Sequence, residues 1–229
     1  MMKKLRTIVY IDAFNLYYGV LKKTPYKWLD IDSMVKKILK KNEIVSLKYF
    51  TAPVKGDKKN PNRLKHQKNY ISALKTHLPN FECIQGYFIE KKVKAKNLNP
   101  PPSQVTVALR EEKGTDVNIA VEIVKDSYTQ DFDCVLLISN DGDLARALSI
   151  AKETGKKVVV IVPRIKNSGN FTAQSYKKFT DNIFPFIDEK ILKNSILPKT
   201  IGQFTCPTHW ILMSKNKKTT PHDVVDLTL

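Results

Sequence analysis

The sequence predicts an α/β protein with a mostly parallel sheet and helices on both faces. Three observations carry that prediction. Short runs rich in Val, Ile, Leu, Tyr and Phe recur at 5–11, 44–50, 81–89, 133–138 and 157–162, each with the length and composition of a strand. Stretches with apolar residues at helical spacing lie between them, and this alternation is the pattern of a helix-covered parallel sheet. Two of the strand-like runs end on carboxylates: Thr7–Ile11 delivers Asp12, with Asn15 just after it, and Val135–Ile138 leads through Ser139 and Asn140 to Asp141, Gly142 and Asp143.

The helical stretches follow in order. Residues 31–41 present Met34, Val35, Ile38 and Leu39 after a capping Asp30, and residues 61–77 present Leu64, Ile71 and Leu74 after Pro61, which suits a first helical position. Residues 116–128 carry Val117, Ile119, Ala120, Ile123 and Val124. Residues 143–154 carry Leu144, Ala147, Leu148 and Ala151, and Gly155 is placed to stop that helix. Short helices are expected at 171–178 and 188–194. Residues 51–62 read as a basic loop and 91–103 as a basic, partly polyproline stretch. From Leu197 an extended tail is expected, with Trp210 pinning part of it and the last ten residues loose. The reading is therefore one domain over 1–195 and a partly flexible extension over 196–229.

With 229 residues, 42% of them hydrophobic, the chain is long enough to bury a sizeable core. The net charge of +17 favours polyanionic partners. No stretch is apolar for the length of a membrane span, and the Met1–Arg6 start lacks the h-region and cleavage site of a secretory signal. The three cysteines and four histidines show no zinc or disulfide spacing. These features predict a cytoplasmic protein with no membrane association.

Taken alone, each acidic residue has a structural explanation. Asn140 or Asp141 would cap the helix that follows, Asp12 a short helix through Phe14, Leu16 and Tyr17, and Asp116 the helix after Lys113-Gly114-Thr115. The case for chemistry is their conjunction. Ligands of open α/β sheets sit beyond the carboxyl ends of the strands. If strands 5–11 and 133–138 are neighbours, Asp12, Asp141 and Asp143 converge there, and Asp116 joins them from its helix start. Carboxylates gathered at one point repel unless a hard cation such as Mg²⁺ or Mn²⁺ joins them. An acidic site on a basic body points to metal-dependent chemistry on nucleic acid.

These residues carry a resemblance. The run Tyr10–Tyr17 resembles the opening motif of the NYN domain, the LabA-like branch of the PIN-like nucleases. Glu112–Val117 resembles that family's second motif, and Ser139–Leu144 its third, in matching order and spacing over about residues 5 to 187. The resemblance implies a Rossmann-like three-layer α/β/α domain (PIN-like) and a divalent-metal-dependent nuclease acting mainly on RNA. It makes Asp12, Asp116, Asp141 and Asp143 the catalytic and metal-holding set, with Asn15 as polar companion. Chemistry and resemblance together predict RNA phosphodiester hydrolysis by water activated on Mg²⁺ or Mn²⁺, leaving 5′-phosphate and 3′-hydroxyl ends. Ala13 departs from the family's usual glycine. Glu122 stands where many relatives carry an aspartate, but six helical residues turn it about 240° from Asp116, so it is left out of the site. Asp181 is expected to cap or pair locally.

Lys113 and Arg146 flank the acidic motifs and are expected, with Asn15, to contact substrate. The clusters Lys55, Lys58, Lys59, Arg63, Lys65, Lys68 and Lys91, Lys92, Lys94, Lys96 would neutralise phosphates. Tyr17, Tyr18 and Tyr70 are candidates to stack unpaired bases, at least two of them being expected to serve packing instead. Single-stranded RNA is the favoured partner; DNA and a homodimer stay open. The rival reading is a non-catalytic RNA-binding or regulatory module on the same fold. An aspartate-nucleophile phosphatase is disfavoured because Phe14 stands where its second aspartate belongs, and a nucleotide triphosphatase because no Gly-rich phosphate loop is present.

Overall fold

The computed structural model describes residues 3–22, 24–56, 60–166 and 173–212. Its centre is a six-stranded sheet made of β1 (Leu5–Asp12), β2 (Asn42–Thr51), β3 (Phe81–Gln85), β6 (Cys134–Ile138), β7 (Lys157–Ile161) and β8 (Asn182–Phe184). The strand order is β3-β2-β1-β6-β7-β8, and all five pairings are parallel. Alternation along β1 divides the core. Val9 and Ile11 face one layer with α2 (Ile31–Ile38), α3 (Arg63–His77) and α6 (Glu189–Lys193). Ile8 and Tyr10 face the other, with α4 (Thr115–Thr129) and α5 (Ala145–Glu153). This is the expected three-layer α/β/α fold.

The order of strands fixes the site. From β1 the chain moves outward to β2 and β3, then returns to the other side of β1 with β6 and continues to β7 and β8. The direction of winding reverses between β1 and β6, whose carboxyl ends form the crevice where ligands of such sheets bind. The registers Tyr10↔Leu137 and Ile11↔Ile138 bring the ends of the two strands level.

Several expectations are corrected. The run 81–89 is not one strand: it breaks at Gly86, where an added Cβ would lie 2.6 Å from the Lys113 carbonyl oxygen. Beyond it, β4 (Tyr87–Lys96) pairs antiparallel with β5 (Gln104–Lys113) as a ribbon separate from the main sheet. The irregular segment expected at 91–103 is thus half strand. Lys91, Lys92, Lys94 and Lys96 are exposed on it, and a ribbon solvated on one face lacks the apolar run that marks a buried strand. Strand β8 completes the sheet through three residues only, too few for a pattern to show. The helix expected at 143–154 begins as a 3₁₀ turn at Gly142–Leu144, and that expected at 171–178 appears as a 3₁₀ turn at Ala173–Tyr176.

Residues 196–212 stay on the body. Trp28 Nε1 donates to the Pro198 carbonyl at 2.8 Å, and Leu197, Ile201 and Cys206 join the core. Strands β9 (Thr200–Ile201) and β10 (Phe204–Thr205) form a small hairpin before α7 (Thr208–Leu212). Trp210 packs 6.2 Å from Trp28 and 6.3 Å from Tyr70, ring centre to ring centre. Lys58, Lys59, Lys215–Lys218 and the last ten residues lie outside the described residues. Among the described residues no helix is long and apolar enough to cross a membrane, and the three cysteines are unpaired.

Candidate active site

Asp12 ends β1 and caps α1 (Ala13–Leu16). Its Oδ1 accepts from the Asn15 backbone N–H at 2.9 Å, and its Oδ2 from Asn15 Nδ2 at 2.6 Å and Ser139 Oγ at 3.0 Å. The carboxyl is buried, at 2% exposure. Burial pushes its pKa up and the charge of Asp141 adds to the rise, against the pull of the hydrogen bonds. Asn15 also accepts from the Asn140 N–H at 3.3 Å, so one side chain ties the turn after β1 to the turn after β6. Capping and site-building coincide at Asp12.

The turn after β6 is held in a similar way. Ser139 Oγ, besides donating to Asp12, accepts from the Asp141 N–H at 3.1 Å. Asp141 Oδ1 accepts from the Asp143 N–H at 3.0 Å, and the Asp141 carbonyl accepts from the Tyr176 hydroxyl. Asp116 stands in the first turn of α4, after Gly114, whose φ of 90° lies in the left-handed region. The N-terminus of that helix is held by Glu112, whose carboxylate accepts from the Thr115 N–H at 3.1 Å and from the Thr115 hydroxyl.

These parts meet in a cleft of about 540 Å³ lined by Asp12, Asn15, Glu112, Asp116 and Asp141 together with Lys55, Arg63, Phe88 and Arg110. The Asp116 carboxyl is pushed up to about 6, first by lost hydration and then by the charges of Asp12, Asp141, Glu112 and Asp143. Among the described residues, no Lys or Arg pairs with Asp12, Asp116, Asp141 or Asp143. This donor set is all oxygen and carries uncompensated negative charge, the chemistry that suits a hard divalent cation. Among the described residues, no three His, Cys, Asp or Glu side chains are gathered closely enough to enclose an ion by themselves, so water or substrate oxygens would complete a shell.

The structure sorts the residues expected here. Asp12, Asp116, Asp141 and Asn15 come together in the cleft. Asp143 is exposed outside its lining and reaches Asp116 through charge alone. Lys113 pairs with Glu111 at 2.9 Å on the face of β5 opposite Glu112, and Arg146 pairs with Glu153 at 3.2 Å; neither lines the cleft. Arg110 takes the place expected of Lys113, its guanidinium 4.1 Å from the Phe88 ring centre. Glu112 lines the cleft and Ser139 holds Asp12, and each opens one of the motifs, Glu112–Val117 and Ser139–Leu144. Arg110 and Phe88 gave no signal, because their placement depends on the unforeseen ribbon. Glu122 pairs with Lys48 at 2.5 Å and stays out of the site, and Asp181 pairs locally with Lys152 at 2.6 Å.

Comparisons with known proteins bear on the family and the fold. The chain is 34% identical over 186 residues to the 6-hydroxy-3-succinoylpyridine 3-monooxygenase HspA of Pseudomonas putida, a match covering 69% of this chain. The match spans 60% of the length of that relative. A crystal structure of a Vibrio parahaemolyticus protein of unknown function superposes with a TM-score of 0.51 at 20% identity, covering 86% of this chain and 99% of that one, which supports the fold. The model of the NYN domain matches residues 6–187. The chain belongs to the NYN domain family, within the PIN-like nuclease superfamily.

Proposed function

We propose that this protein is a divalent-metal-dependent ribonuclease that hydrolyses phosphodiester bonds in single-stranded RNA. One observation carries the reading: Asp12, Asp116 and Asp141 line one cleft where the sheet reverses direction, and among the described residues no Lys or Arg forms an ion pair with them. Asp12, Asp116 and Asp141 would hold Mg²⁺ or Mn²⁺. Such an ion supplies Lewis acidity, polarising a phosphoryl oxygen and making water a better nucleophile near neutral pH. Asn15 and Ser139 fix the orientation of Asp12. The raised Asp116 carboxyl, about 6 without a cation, reflects crowding of like charge that a bound cation would relieve. Arg110 and Arg63 line the same cleft as the acidic group, where they would help to hold a phosphate. A cytoplasmic setting goes with the unpaired cysteines.

The test is incubation of labelled single-stranded RNA with Mg²⁺, Mn²⁺ or EDTA, beside an Asp12→Asn variant. Cleavage that needs metal and vanishes in the variant is expected. RNA binding without cleavage, unchanged in the variant, would leave the binding module instead.

A second reading is favoured by a cavity beside the cleft that Tyr17, Tyr49, Tyr70 and Trp210 line and that shares Phe14 and Tyr18 with it. The relative from Pseudomonas putida is named for a monooxygenase acting on a hydroxypyridine, and a pocket of rings suits such a substrate. Consumption of a hydroxypyridine with molecular oxygen and a reductant, without RNA cleavage, would select it.

A further inference from the structure

A second cavity adjoins the acidic cleft. It measures about 100 Å³ and shares Phe14, Tyr18, Val54 and Arg63 with the cleft as a common wall. Its remaining aromatic lining comes from four elements: Tyr17 on the π-helical turn Tyr17–Leu21, Tyr49 on β2, His66 and Tyr70 on α3, and Trp210 on α7. Helical turns of this wide kind are rare and gather at functional sites. This one lies close against the chain after β7: a Cβ at Gly19 would stand 1.9 Å from the Pro163 carbonyl oxygen, so only glycine permits the approach that places Tyr17 and Tyr18.

The walls are fixed before any ligand arrives. The Tyr70 hydroxyl donates to the Leu29 carbonyl at 2.7 Å. Gln67 accepts from the Val54 N–H at 2.9 Å and donates to the Thr51 hydroxyl and the Ala52 carbonyl at 3.1 and 2.9 Å. Tyr17 and Tyr18 meet edge to face at 5.3 Å, and Phe14 stacks on Tyr18 at 6.4 Å. Burial pushes the Tyr17 phenol up, so it stays neutral. The cavity therefore offers mainly ring faces and neutral edges, while Arg63, shared with the cleft, and Lys27 add positive charge.

We propose that this pocket binds one planar heteroaromatic ring bearing an anionic arm, with the ring among the aromatic side chains and the anion at Arg63. Resting on the ribonuclease reading, that unit is a pyrimidine nucleotide of the RNA, its base lifted out of the strand and its phosphate directed into the acidic cleft. A cavity of about 150 Å³ holds benzene, so a space of about 100 Å³ excludes a fused purine and takes a single six-membered ring only with part of it in the opening shared with the cleft. The residues past 195, which the nuclease motifs do not reach, supply Trp210 as the far wall.

The test is a metal-free binding titration followed by tryptophan fluorescence, so it stands whether or not RNA is cleaved. The probes are UMP, AMP, ribose 5-phosphate and 6-hydroxynicotinate, with wild type, Tyr18→Ala and Arg63→Gln, each checked for folding by its melting curve. Tyr18 is half exposed, which keeps its truncation mild. UMP should bind at least about tenfold more tightly than ribose 5-phosphate and than AMP. Tyr18→Ala should weaken UMP by about 5- to 150-fold, the range for losing one stacked base, and leave ribose 5-phosphate unchanged; Arg63→Gln should weaken both. UMP binding above 6-hydroxynicotinate supports an RNA unit as the source of the ring, and the reverse supports a free ring acid. Ribose 5-phosphate matching UMP, or UMP unaffected by Tyr18→Ala, would overturn the proposal.

Discussion

Two carboxylate clusters hang from the same pair of elements and are treated in opposite ways. Strand β1 gives Tyr10 to one and Asp12 to the other; helix α4 gives Glu122 and Asp126 to one and Asp116 to the other. In the first cluster Lys48 sits between the acids, 2.5 Å from Glu122 and 2.6 Å from Asp126, and the Tyr10 hydroxyl donates to Asp126 at 2.8 Å. Burial would pull the Lys48 ammonium down, but the hydrogen bonds and charges of Asp126 and Glu122 hold it above its ordinary value. In the second cluster, among the described residues, no Lys or Arg pairs with Asp12, Asp116 or Asp141 although Lys55, Arg63 and Arg110 line the same cleft, and the carboxyls of Asp12 and Asp116 rise. Acidity alone does not mark a site in this fold; the missing ion pair does.

The largest expected effect falls on the neutralised cluster. Lys48→Met strands Asp126, whose side chain is 1% exposed, and breaking a buried pair in this way costs about 3–5 kcal/mol. Chemical denaturation should show that loss with the metal response of any RNA cleavage intact. An unchanged midpoint would mean that Lys48 does not neutralise the cluster. Next in size, Asp141→Asn should lower metal-dependent cleavage by more than about 100-fold, since even outer partners of metal ligands matter by 10- to 100-fold, without lowering stability. Retained activity would remove Asp141 from the site.

The acidic side of this contrast was legible in the sequence, and the Lys48 cluster was not. Thr7–Asp12 and Val135–Asp143 announce buried strands that end on acids, and three short motifs in order gave the family. The helical rotation that set Glu122 apart from Asp116 was also readable, and Lys48 now supplies its physical reason. Legibility failed where placement depends on pairing across the chain. Nothing local to Phe88 or Arg110 says that they face the cleft, because their register comes from a ribbon whose lysine-rich strand looks like solvated loop. Lys113 was misjudged for the same reason: one residue along a strand is the difference between the two faces, so Glu112 points inward and Lys113 does not. Trp210 was legible as an anchor but not as a pocket wall, since its partners Trp28 and Tyr70 lie far away in sequence.

The ribbon gives a smaller prediction. Lys92, Lys94 and Lys96 share the face of β4 that carries Phe88 into the cleft, given the pairing Phe88↔Glu112 and the alternation of the strand. Replacing all three by alanine should reduce the salt dependence of single-stranded RNA binding by a log–log slope of roughly 2, at about 0.7 per phosphate contact. An unchanged slope would take the ribbon out of the substrate path.

The two clusters should also respond to pH with opposite sign. Glu122 is held below its ordinary value, because Lys48 and Lys125 outweigh the cost of burial. Its contribution is present above the unfolded pKa, 4.5, and is lost as the pH falls through the folded value. Asp116 is raised, so between 3.8 and about 6 the folded state holds more protons than the unfolded one. Stability of the metal-free protein therefore falls as pH rises through that window. Asp116→Asn should remove this small penalty, giving a melting temperature equal to wild type near pH 3.5 and higher above pH 6.

The most direct measurement is an NMR titration of the Asp116 carboxyl with and without Mg²⁺. The metal-free protein should titrate at about 6, and saturating Mg²⁺ should pull that value well down, because a bound cation replaces the counter-charge that Lys48 supplies to the other cluster. A carboxyl that titrates near 3.8 from the start, or one that Mg²⁺ leaves unmoved, would contradict a cation site built from Asp12, Asp116 and Asp141.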